Sequence, residues 1–277
     1  MSGFYKHMTI ENADKLAQRM DGKGRFASYM KANVAKFKNL IESNYGISMA
    51  EPRIFESLHP RLYKDKAEMM RALSKKSGSI FELNALKSTA GALYSINAVF
   101  ISGFKLRLMR LRYFNEEDFK RRMDSTLVHE LTHHAMYTFN PKSFGYTEMG
   151  DRLMNQGLCD FSKIRFAPEP ELKKPEKVLD RIKLAIHDAA MEILFFSDRR
   201  KERFLKSLSE GERKARIASN PGYWVTFRLT YELGVNFISS LAEHFKNDRK
   251  LFRQVAFGRK PTMKEILEPE LYIKEIE

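Results

Sequence analysis

The sequence predicts an α+β fold. Apolar residues recur at the 3.6-residue helical period in the first and last thirds of the chain. Between them, roughly from residue 79 to 114, the content turns β-branched and aromatic, and Gly91 and Gly103 suit turns. Helices on both sides of a short strand region point to a small sheet with helices segregated around it. With 277 residues, 43% hydrophobic and 30% charged, the chain has the means to bury a sizeable core. The expected division is an N-terminal helical segment, 1–76, followed by a larger domain, 77–277.

Taken in order, Phe26, Tyr29, Met30, Val34, Phe37 and Leu40 form one helical stripe. Gly46 stops that helix, and Pro52 and Pro60 mark irregular chain. Ser79–Leu83 and Ile96–Ile101 read as strands. Lys105–Phe114 alternates basic with apolar, as a half-buried strand does, although a basic helix fits the same letters. Asn115 caps a helix whose first turn is acidic. Its stripe runs through Phe119, Met123, Leu127, Leu131, Ala135 and Met136, and Asn140-Pro141 ends it. Leu153–Phe161 is a further helical segment, and Phe166–Pro175 is a Pro-rich linker. Val178, Ile182, Ile186, Ala189, Ile193 and Phe196 make the next stripe. Asn220-Pro221 opens a helix striped by Trp224, Phe227, Tyr231, Val235, Ile238, Leu241 and Phe245.

Bulk properties narrow the function classes. A net charge of +14 favours an acidic partner, nucleic acid or an anionic surface. The basic residues are spread along the chain, which equally suits solvated helix faces. Cys159 is the single cysteine, so a Cys-based zinc finger and an internal disulfide are both excluded. The first residues show no basic region followed by an apolar one, and a cytoplasmic location is expected. The best apolar stretch, Leu184–Phe196, is interrupted by His187, Asp188 and Glu192, so membrane insertion is not expected. Phosphate-loop, dinucleotide and nucleophile-elbow motifs are absent.

The strongest chemical signal is His129-Glu130-Leu131-Thr132-His133. Histidines at i and i+4 fall on one helix face, one turn apart, and can reach one tetrahedral zinc ion. The intervening glutamate can take a proton from a water at the metal. His134 points away from His133 and is expected at the surface or behind the site. His187 beside Asp188 reads as a structural pair, and His59 and His244 carry no spacing signal.

The H-E-x-x-H pattern resembles that of the zincin metallopeptidases. Met136 and Phe139 occupy the glycine and third-histidine positions of the metzincin extension, so that branch is excluded. Leu153-Met-Asn-Gln-Gly-Leu-Cys-Asp-Phe161 resembles the third-ligand helix of gluzincins of the peptidase-MA type, through Gly157, Leu158 and Phe161. Tyr231-Glu-Leu-Gly234 resembles their Y-x-x-G helix. The resemblance covers roughly residues 80 to 260. It implies a zincin-like fold and zinc-dependent hydrolysis of a peptide or protein substrate. Its implied site has His129 and His133 as ligands, Glu130 as general base, Asp160 behind a ligand histidine and Tyr231 at the oxyanion. The ligand glutamate's position holds Gln156. Three possibilities stay open: Gln156 ligates zinc; Glu148, Asp151, Asp160, Glu192 or Glu232 does so; or the protein is a degenerate zincin. A degenerate zincin would use its basic surface to bind nucleic acid or an acidic protein. A strand from Asn97 to Ser102 is expected to line the cleft and pair with extended substrate.

Overall fold

The computed structural model describes residues 15, 18, 19, 21–57, 90–93, 97–140 and 148–277. The elements are α1 (Arg25–Tyr45), β1 (Arg53–Ser57), β2 (Ala90–Leu93), β3 (Ala98–Ser102), α2 (Gly103–Arg110), α3 (Glu116–Phe139), α4 (Met149–Phe166) and α5 (Val178–Lys206). Then follow α6 (Glu210–Ser219), α7 (Pro221–Trp224), α8 (Phe227–Phe245), α9 (Asp248–Phe257), α10 (Met263–Leu267) and α11 (Pro269–Ile276). This is a mostly helical α+β architecture around a small sheet. The expected strand at 79–83, Pro60, His59 and the boundary at 76/77 lie outside the described residues.

α1 ends where Gly46 turns left-handed (φ 65°), a conformation free of steric cost only without a Cβ. At its other end, the Glu56 carboxylate of β1 accepts hydrogen bonds from the backbone N–H groups of Phe26 (2.9 Å) and Ala27 (3.2 Å). A strand side chain thus caps the helix and favours its positive end. Phe26 meets Phe119 of α3 edge-on, 5.6 Å between ring centres. The Tyr45 hydroxyl meets the Ser162 hydroxyl of α4 at 2.6 Å. Residues of α1, β1, β3, α3, α4, α8, α9 and α11 share one buried cluster.

The sheet has the order β1-β3-β2, with β1 parallel and β2 antiparallel to β3. Three expectations are corrected here. Residues 53–57, read as irregular, form β1 and pair residue by residue with Ala98–Ser102. β3 is the central strand, so the substrate-pairing edge expected at 97–102 is already occupied. Among the described residues the outer strands are β1, whose Ile54 backbone is bonded by Gly22 and Asp21, and β2, which packs against α3. Gly91, expected in a turn, lies within β2.

Residues 105–110 form a helix, not a strand. The Ser102 side chain accepts from the Lys105 N–H (3.2 Å), and Arg107 and Arg110 complement the last turn. Over eight residues the basic-apolar alternation satisfies both periods, and the cap decides. The single helix expected from Asn220 is also broken. Val225 is extended (ψ 107°), and Thr226 starts α8 by accepting from the Leu229 N–H. The Thr226 hydroxyl donates to Glu202 of α5 at 2.7 Å, which anchors the break. No helix among the described residues is long and apolar enough to cross a membrane.

Candidate metal centre

The site is assembled on α3. Asn115 caps it by accepting from the Asp118 N–H (2.7 Å), and Glu116, Glu117 and Asp118 stabilise its positive end. Leu127, Val128 and Leu131 lock the middle of the helix into the core. The register then places the His129 and His133 rings 4.9 Å apart at 76° to one another. His133 is buried. Desolvation, reinforced by the neighbouring His129, pushes its pKa down to about 3, so the imidazole is neutral and keeps a lone pair. Glu130 is buried on the same helix.

The second wall comes from α4, held close by α8. Gly157 and Gly234 face each other at the crossing, so that a Cβ on Gly157 would lie 2.2 Å from the Gly234 carbonyl oxygen. This approach accompanies the placement of Gln156, Cys159 and Asp160 along α3. Asp160 Oδ1 lies 3.0 Å from His129 Nδ1 and 3.1 Å from Lys163 Nζ. Burial alone would raise the Asp160 pKa, but His129 and Lys163 outweigh it and hold the carboxyl below its usual value. An ionised carboxylate only accepts, so His129 Nδ1 carries a hydrogen, and Nε2 is the ring nitrogen that faces Gln156. Gln156 Nε2 sits 2.9 Å from that nitrogen and donates to it. The Gln156 side chain also hydrogen-bonds His133.

Behind Asp160, Lys163 reaches Glu169 at 2.9 Å, and Arg122 of α3 also bonds Glu169. The Pro-rich stretch after α4 is therefore more than a linker: it fixes the cation that steadies Asp160. No local pattern signals this, because Arg122, Lys163 and Glu169 share no common spacing.

The remaining candidates separate clearly. Glu148 is exposed at the start of α4. Asp151 is held by Lys260 (3.1 Å) and Asn155 (2.9 Å). Glu192 pairs with Arg199, and Glu232 pairs with Arg228. None of these four joins the two histidines among the described residues, and Asp160 touches His129 on the ring nitrogen away from Gln156. Cys159 does join them: one ligand atom from each of His129, His133 and Cys159 lies within 4.8 Å of the others. Its signal was its place on the same helix, three residues after Gln156. Burial pushes its thiol well up. Tyr231 stands edge-on to His129, 6.3 Å between ring centres, and packs on Phe227 at 4.7 Å. Burial, with Asp160 and Glu130 adding to it, raises the phenol and keeps it protonated. His134 is buried rather than at the surface, and His187 pairs with Asp188 at 3.0 Å as expected.

Two imidazole nitrogens with an amide oxygen or a thiolate form a donor set that suits zinc. The oriented His129 tautomer and the convergence of three donor side chains fit such an ion. Comparison with protein families, curated proteins and solved structures finds no match to this chain.

Proposed function

We propose that this chain is a zinc-dependent peptide hydrolase, a zincin-like metallopeptidase of the gluzincin type. The observation that carries the reading is the hydrogen-bonded chain Asp160–His129–Gln156, which leaves one imidazole lone pair directed toward the third candidate donor.

His129, His133 and Gln156 would hold the ion. A half-turn of the Gln156 amide exchanges Nε2 for Oε1 and presents the oxygen where the N–H now lies. Gln156 is preferred to Cys159 because its side chain touches both imidazoles. When bound, zinc supplies Lewis acidity to a substrate carbonyl and to water. Glu130 takes the proton of the attacking water and passes it to the leaving amine. The Tyr231 phenol donates a hydrogen bond to the developing oxyanion. The outer edge of β2 would offer backbone groups to an extended peptide.

A second reading rests on Cys159. If His129, His133, Gln156 and Cys159 all ligate, four protein donors close the site, and the metal is structural. Metal content and peptide cleavage distinguish the two. The expected result is one zinc per chain, lost in His129→Ala. Glu130→Gln should retain zinc and lose cleavage of a quenched fluorescent peptide library. Metal release on Cys159→Ser, with no cleavage by the wild type, identifies the structural site. A chain that binds zinc no better than His129→Ala sinks both readings.

A further inference from the structure

Helix α5 carries an apolar face that stays exposed among the described residues. Its body-facing side presents the buried Phe195 and the partly buried Leu184 and Met191. Another face holds Leu179, Ile182, Ile186, Ala189, Ile193 and Phe196, spaced 3-4-3-4-3. The five large side chains of that set are between 51% and 80% exposed, and Ala189 is exposed as well. The stripe read from the sequence, Val178, Ile182, Ile186, Ala189, Ile193 and Phe196, is thus an outward face of the helix.

We propose that this seam packs against the same seam of a second copy of the chain, antiparallel, as a short coiled coil. Three observations select this occupant. First, alternate spacings of three and four average 3.5 residues, the period of a helix-to-helix seam rather than of a helix lying on a broad surface. Second, the seam complements itself. Reversed about the point between His187 and Asp188, Ile182 falls opposite Ile193 and Ile186 opposite Ala189. Antiparallel packing sets the first position of each heptad against the fourth of its partner in this way. Both layers lie before the bend at Phe195 (φ −123°, ψ 20°), on unbroken helix. Third, the flanks suit a copy. Ala185 and Ala190 permit close approach. Across an antiparallel pair Lys183 faces Ala190, and Glu192 faces Ala185, so no like charges oppose.

An anionic membrane surface is a poorer match. Asp180, Asp188 and Glu192 interrupt the polar part of α5, where a surface-bound helix concentrates Lys and Arg. A monomer seldom leaves more than a few hundred Å² of contiguous apolar surface open. A stable pair covers about 800 Å² on each partner. Five large exposed side chains and their flanks supply the apolar centre of such a contact.

Light scattering on the full chain during gel filtration tests the proposal. The expected mass is twice 32.4 kDa at high concentration, falling to 32.4 kDa on dilution. Ile186→Glu with Ile193→Glu should give 32.4 kDa throughout, with an unchanged far-ultraviolet spectrum, because both side chains are exposed. Orientation is read by disulfide trapping, since the native Cys159 is buried. A tagged Ile186→Cys chain should trap an untagged Ala189→Cys chain faster than either traps itself. A wild type that stays monomeric at every concentration overturns the proposal, whether the seam then binds anionic vesicles or is covered by another part of this chain. A dimer that survives the double substitution, or dominant trapping of Ile186→Cys by itself, overturns it too.

Discussion

Gly157 and Gly234 meet where α4 crosses α8, with no room for a side chain on either. A Cβ on Gly234 would lie 2.4 Å from the Leu153 carbonyl oxygen and 2.9 Å from the Gly157 Cα. Both glycines sit in mid-helix, where alanine ordinarily adds roughly 0.5–1 kcal/mol of stability. Here the sign reverses. Gly157→Ala should cost about 1–3 kcal/mol by forcing the helices apart. Gly211→Ala is the control: nothing lies within 4 Å of its Cβ position, and a small gain of up to about 1 kcal/mol is expected. Urea unfolding of the two variants checks the contrast.

The same crossing sets the donors of α4 against His129. Asp160→Asn removes the carboxylate that fixes the Nδ1–H tautomer, and zinc affinity should fall roughly 10–100-fold. Gln156→Glu replaces a neutral donor with a charged one and should bind zinc more tightly than wild type. Competition with a coloured chelator measures both. Equal affinity in Gln156→Glu, Gln156→Ala and wild type would remove residue 156 from the ligand set.

Glu265 gives the clearest pH dependence. Arg259 bonds both of its carboxylate oxygens, and the Thr262 N–H donates to it at 2.7 Å. These partners, Arg259 foremost, hold its pKa down to about 2. A carboxylate depressed in the folded state stabilises the protein above its unfolded value and ceases to do so as pH falls through the folded one. The stabilisation should be complete above pH 4.5 and vanish toward pH 2. Because Arg259 is partly exposed, its size is taken as on the order of 2 kcal/mol. Glu265→Gln should lose that amount at neutral pH and show a flatter unfolding profile over the acid window.

Glu56→Ala leaves the first N–H groups of α1 without their carboxylate. A loss of about 1–2 kcal/mol is expected, comparable to removing a helix cap. Glu56→Gln should retain the hydrogen bonds and lose only the charge interaction with the helix end. Thermal unfolding distinguishes the two.

Much of the helical layout was legible because it is encoded locally. Asn115, Gly46 and the apolar periods place α1 and α3 to within a few residues. The segment at 105–110 was misread because eight residues do not separate a period of 2 from one of 3.6. β1 was missed because five residues beside a proline carry little local signal, and its partner lies more than forty residues away. The α5 stripe was legible as helix but not as exposed, since periodicity reports a face and not what covers it.

Helical spacing alone puts His129 and His133 on one helix face with Glu130 between them. That follows from 3.6 residues per turn and needs no neighbour. Which side chains complete the site depends instead on long-range packing. Gln156 and Cys159 come to the imidazoles, Asp160 to the far ring nitrogen, and Glu148, Asp151, Glu192 and Glu232 to other partners. The choice was made by the crossing of α4 and α8 at two glycines, a backbone approach between residues 77 positions apart that no local pattern specifies.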